Sequence, residues 1–136
     1  MKILKNVALS LFLLLLPVSA FAADNPLSVH VLNLQDGLPS SNVKVTLEKQ
    51  NGDDWVMLNT DVTNENGRIT ALYPENKELE KGVYRVTFKT GEWFQAHKME
   101  TFFPEVPVIF TVDGSVKHYH IPLLLSPFGY STYRGN

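Results

Sequence analysis

The chain has 136 residues, no cysteine and a formal charge of −2 at pH 7. The missing cysteine excludes thiol catalysis, disulfides and cysteine-based metal sites. A mildly acidic chain without a basic run lacks the footprint of a nucleic-acid-binding protein.

The first 22 residues read as a secretory signal peptide. Lys2 and Lys5 form a basic start, Val7 to Leu16 an apolar run, and Ala20-Phe21-Ala22 a small-residue cleavage site. The apolar run is half the roughly 20 residues that a transmembrane helix needs. Cleavage after Ala22 is expected, which leaves 23–136 as one mature domain with no membrane segment, in the periplasm of a Gram-negative bacterium. Losing Lys2 and Lys5 makes the charge two units more negative.

Short alternating runs separated by turn residues fill the mature chain. Leu27 to Leu34 sets Val29 and Val31 on one face and Ser28, His30 and Leu32 on the other. Val43 to Lys49 alternates in the same way, with Val43, Val45 and Leu47 on one side. Asn51-Gly52 is a hairpin signal leading to a strand over Trp55 to Asn59. Asn66-Gly67 marks a turn into Arg68 to Leu72, and Gly82 opens Val83 to Lys89. Gly91 to Met99 lacks alternation and reads as one short helix, with Thr90 as its cap. Strands follow over Val106 to Val112, His118 to Leu125 and Gly129 to Tyr133. Seven or eight short strands with one helix predict an all-β, antiparallel sandwich. The connections are too short for a parallel α/β fold.

Histidine and arginine carry the candidate chemistry. His118 and His120 are two apart in a predicted strand, so they share a face. Such a pair can bind a metal or set up a base with its partner. His30 lies on the polar side of the first strand, and His97 lies in the helix. Arg68 follows a turn and presents a planar fork of donors suited to a carboxylate or an oxyanion. The C-terminus, from Leu123 through Tyr133 and Arg134 to Asn136, is apolar and aromatic where chain ends are usually polar. It is expected to dock into structure or onto a partner subunit.

Five segments resemble the 5-hydroxyisourate hydrolases of the transthyretin-like family. They are Leu27-Ser-Val-His-Val-Leu-Asn33, Thr63-Asn-Glu-Asn-Gly-Arg68, Phe102-Phe-Pro104, His118-Tyr-His-Ile-Pro-Leu-Leu-Leu-Ser126 and Tyr130-Ser-Thr-Tyr-Arg-Gly135. The family's terminal Tyr-Arg-Gly-Ser is matched up to Asn136, which stands where the family has Ser. Transthyretin, the hormone-carrying relative, shares the fold but lacks the equivalents of His30, Arg68, His120 and the Tyr-Arg-Gly tail.

The resemblance implies a transthyretin-like sandwich and a hydrolase of purine catabolism. It would open the ring of 5-hydroxyisourate, in urate degradation, to give 2-oxo-4-hydroxy-4-carboxy-5-ureidoimidazoline. It implies His30, Arg68, His120 and Ser131 as catalytic residues, with His30, Arg68, Tyr133 and Arg134 binding substrate. His118 has no clear role. The scheme calls for no metal or cofactor, and the implied assembly is a homotetramer, a dimer of dimers with sites between subunits. The alternatives are a transthyretin-like ligand carrier and a periplasmic metal-binding module on His30, His118 and His120.

Overall fold

The computed structural model describes residues 24–136. Residues 1–22, read above as a signal peptide, lie outside the described residues. Among the described residues there are nine strands and one helix, in the order β1 (Leu27–Asn33), β2 (Leu38–Pro39), β3 (Lys44–Asn51), β4 (Asp54–Val62), β5 (Arg68–Ile69), β6 (Gly82–Phe88), α1 (Thr90–Ala96), β7 (Val106–Val112), β8 (Tyr119–Ser126) and β9 (Gly129–Thr132). They form two sheets. The first has the order β2-β1-β8-β9 with β5 also on β1; the second has the order β4-β3-β6-β7.

Alternation builds the core between them. Val29 and Val31 of β1, Val45 and Leu47 of β3, and Val86 and Phe88 of β6 are all fully buried. Burying each such side chain contributes roughly 1.5–3 kcal/mol. The sandwich is therefore as expected.

Several details differ from the sequence reading. β1 and β8 pair in parallel, with Leu27 opposite Tyr119 and Asn33 opposite Leu125, while every other pairing is antiparallel. This parallel pair needs no tight crossover, because almost the whole domain lies between the two strands. The strand predicted over Arg68 to Leu72 stops at Ile69. One edge of β1 is filled by β8 along its length, so β2 and β5 divide the other edge between them. Leu72 still returns to that edge, and its N–H donates to the Leu27 carbonyl at 3.0 Å. β4 runs on past Asn59 to Val62, with a register shift opposite Leu47 and Glu48.

The helix is shorter than Gly91 to Met99 and is not capped by Thr90. Thr90 is its first residue, and its hydroxyl is buried without a hydrogen-bond partner. The start is fixed instead from outside, where the Gly91 N–H donates to the Pro104 carbonyl at 2.9 Å. Trp93 and Phe94 bury the helix against the sandwich, and the Trp93 indole N–H donates to the Ser41 carbonyl at 2.8 Å.

Candidate active site

The outer face of the first sheet gathers the polar residues that alternation turned away from the core. Ser28 and His30 project outward between the buried Leu27, Val29 and Val31. The β1–β8 register sets Ser28 opposite His120, and His30 opposite Pro122. The β1–β5 register sets His30 opposite Arg68. Ser131 pairs with Leu124 and shares that face. His30, Arg68, His120 and Ser131 therefore occupy one surface, although they come from four strands.

Arg68 is aimed by the turn before it. The Asn64 side-chain carbonyl accepts from the Asn66 N–H at 2.9 Å and the Arg68 N–H at 3.0 Å. The Asn64 N–H in turn donates to the Arg68 carbonyl. Gly67 completes the turn at φ 68°, and a Cβ there would lie 2.5 Å from the Val31 carbonyl oxygen, so only glycine lets the turn close onto β1. Among the described residues, the three salt bridges leave Arg68 without a carboxylate.

His30 and His120 are half-buried beside the Arg68 charge, and this favours their neutral forms. Burial pushes His30 below its ordinary 6.5, and the Arg68 charge adds to that shift, while the Asn66 backbone opposes it. Burial likewise pushes His120 down, helped by Arg68, His30 and His118, with the Ser28 backbone opposing. At neutral pH both rings are available to accept a proton.

His118 stands just before β8 rather than inside it, but joins the cluster through Ser28. The Ser28 Oγ lies 2.8 Å from His118 Nε2 and 2.7 Å from His120 Nδ1. His97 belongs elsewhere. Its ring stacks on Trp93 at 4.0 Å, and its Nδ1 meets the Trp93 carbonyl at the end of the helix.

The C-terminal segment docks on its own chain. β9 pairs with β8, and the Gly135 N–H donates to the His120 carbonyl at 3.0 Å. A Cβ on Gly135 would sit 2.5 Å from His120 Cδ2, so the tail passes directly against the imidazole. Tyr133 and Arg134 face the other way. They line an apolar cleft of about 280 Å³ with Val108, Phe110, Tyr119 and Ile121, and the Arg134 guanidinium is 5.5 Å from the Tyr119 ring centre. Within one chain these two predicted substrate-binding residues are not brought to His30 and His120. An open groove of about 1040 Å³, which includes Ser28, Arg68, His118 and Lys77, flanks the cluster on its other side.

Sequence reading missed Ser28, Asn25, Asn64, Gly135 and Pro122. Pro122 is notable because β8 is a central strand, and a proline there removes a ladder donor beside His30. Among the described residues, no three His, Asp or Glu side chains are grouped to hold a metal ion. The Ser28 hydroxyl takes one ring nitrogen of each histidine of the pair.

The sequence profile of the HIUase/Transthyretin family matches residues 27–135. A 5-hydroxyisourate hydrolase of Salmonella dublin is 52% identical over 121 residues, which is 88% of each chain. The structure of the Klebsiella pneumoniae 5-hydroxyisourate hydrolase superposes with a TM-score of 0.73 at 34% identity, covering 82% of this chain and 99% of that one. The transthyretin of Sparus aurata superposes equally well, with a TM-score of 0.75 at 32% identity, covering 81% and 96%. The backbone alone thus does not separate hydrolase from carrier, whereas the residues on the outer face do bear on it. The chain belongs to the HIUase/Transthyretin family.

Proposed function

We propose that this protein hydrolyses 5-hydroxyisourate to 2-oxo-4-hydroxy-4-carboxy-5-ureidoimidazoline. The observation that carries the reading is the convergence of His30 and His120, both pushed toward their neutral forms, with the Arg68 guanidinium, which no carboxylate neutralises among the described residues. The activity named for the Salmonella dublin relative supports it.

Arg68 binds and polarises a ring carbonyl oxygen of the substrate. His120 or His30 takes a proton from water as its oxygen bonds to the carbonyl carbon. The tetrahedral intermediate collapses, the ring C–N bond breaks, and the nitrogen leaves with a proton returned from an imidazolium. Ser131, on the same face, orients the flat polar substrate, while Tyr133 and Arg134, which face away within one chain, can contribute only by anchoring the tail or from a second copy. General acid–base assistance is worth roughly 10²–10⁴-fold. Water exclusion strengthens each of these interactions, and one chain leaves this face open. We therefore propose a homotetramer in which a second copy covers it. Phe102 and Phe128, 72% and 71% exposed, are apolar surface available to that assembly. We also propose export to the periplasm, on the signal-peptide pattern of residues 1–22; the purified periplasmic protein then begins at Ala23.

The test is an ultraviolet assay of freshly generated 5-hydroxyisourate, with chelator-treated mature protein. Acceleration over spontaneous decay, lost by about 10²-fold or more in His120→Ala, supports the reading. Decay at the spontaneous rate beside a folded wild type overturns it and favours a ligand carrier.

A further inference from the structure

Two imidazoles and one hydroxyl form a chain of hydrogen bonds whose protons can be assigned from chemistry alone. His118 Nδ1 lies 2.8 Å from the Asn25 backbone carbonyl. A carbonyl can only accept, so His118 carries its proton on Nδ1. Where that is the ring's single proton, Nε2 offers a lone pair, and the Ser28 hydroxyl donates to it across 2.8 Å. With its only proton committed, the Ser28 Oγ can only accept at its 2.7 Å contact with His120 Nδ1. His120 must therefore hold a proton on Nδ1, which leaves its Nε2 lone pair unprotonated.

The anchor of this chain is itself fixed. The Asn25 side chain donates to the Tyr73 carbonyl at 2.8 Å and accepts from the N–H groups of Leu27 and Tyr73. The carbonyl that sets the direction of every later bond is thus pinned at the start of β1.

We propose that Ser28 and His118 are positioning residues that hold His120 as its Nδ1–H tautomer, so that Nε2 is the site's proton acceptor. The proposal rests on the hydrolase reading for its catalytic consequence, but not for the tautomer itself. It gives His118 a task without contact with substrate. It also predicts opposite effects from cutting the chain at different points. Without His118, the Ser28 hydroxyl is free to turn and donate to His120 Nδ1, which moves the His120 proton to Nε2. Without the Ser28 hydroxyl, neither tautomer is selected.

The experiment is ¹⁵N NMR of the histidine rings in the mature chain at neutral pH, paired with the ring-opening assay. In the wild type, His118 and His120 are both expected to show a protonated Nδ1 and a bare Nε2. His118→Phe is expected to shift His120 toward protonated Nε2, and Ser28→Ala to give a mixture, while Ser28→Thr keeps the wild-type pattern. Fixing the wrong tautomer of a catalytic imidazole can cost up to about 10⁴-fold in kcat, so a loss of at least about tenfold is expected in His118→Phe, with little change in KM. His120 protonated on Nε2 in the wild type would overturn the proposal, as would a His118→Phe protein with an unchanged His120 tautomer. The expected tautomers in a protein that opens no substrate would keep the relay and remove the hydrolase reading.

Discussion

Each sheet carries an arginine on its outer face, and the two are held in opposite ways. Arg85 of the second sheet pairs with Glu48, its Nε 2.6 Å from the carboxylate, and lies 4.3 Å from the centre of the Trp55 ring. Its charge is neutralised and its plane is covered. Arg68 of the first sheet sits opposite His30 on a two-residue strand, and among the described residues its backbone is tied down but no carboxylate pairs with its side chain. The surroundings of Arg85 satisfy the charge, whereas those of Arg68 leave it for something else to satisfy. Residue type alone would not distinguish the two; their partners do.

The largest expected effect tests this contrast directly. Arg68→Lys retains a charge but loses the planar fork, and is expected to lower kcat/KM by about 10²-fold. Arg85→Lys in the same assay is expected to stay within about twofold, since partly exposed ion pairs of this kind contribute roughly 0–1 kcal/mol and only to stability. Equal losses in the two variants would erase the distinction between the sheets.

A smaller effect is expected from Gly135→Ala. The new methyl must displace the His120 ring or the tail, and small displacements of catalytic groups are costly. A fall of about tenfold in kcat with an unchanged Tm would separate the tail's role at the first sheet from a contribution to folding. A drop in Tm with normal kcat would make the tail merely structural.

The pH profile should show the mildest change. His30 and His120 are both shifted below 6.5 in the folded chain, so their neutral forms predominate at pH 7 and above. The rate is expected to be flat there and to fall as pH drops through the lowered values, giving an acid limb below 6.5. Between those values and 6.5 the unfolded chain binds more protons than the folded one, so stability also declines on acidification through that window. A limb centred above 6.5 in kcat/KM would contradict burial as the controlling influence.

Much of the fold was legible because alternation is a local property. Val29, Val31, Val45 and Leu47 announced their faces in the sequence, and each is fully buried. Strand direction and strand length are not local. The parallel pairing of β1 with β8 and the sharing of one β1 edge by β2 and β5 depend on segments far apart in the chain. The helix start likewise depended on the Pro104 carbonyl, not on Thr90. At the site, His30 and Arg68 stood out by residue type, and both meet at one register position. Ser28 carried a signal that could have been used, since it lies two residues before His30 and must share its face. Serine is too common on polar faces to be singled out until its two imidazole partners are known. Gly135 gave no sign of its close approach to His120, because the lack of a side chain records contact only in three dimensions.

The parallel pairing of β1 and β8 also has a consequence in time. Ser28 and His120 are 92 positions apart, and β8 fills the middle of the first sheet. A nascent chain that has not yet produced β8 can hairpin β3 onto β4 but cannot close the first sheet or assemble its outer face. Folding of this half waits for nearly the last residues to be made, and such long-range pairing is slow. The export proposed above would gain from that delay: the chain would stay threadable until its end had emerged, and its outer face would assemble only afterwards.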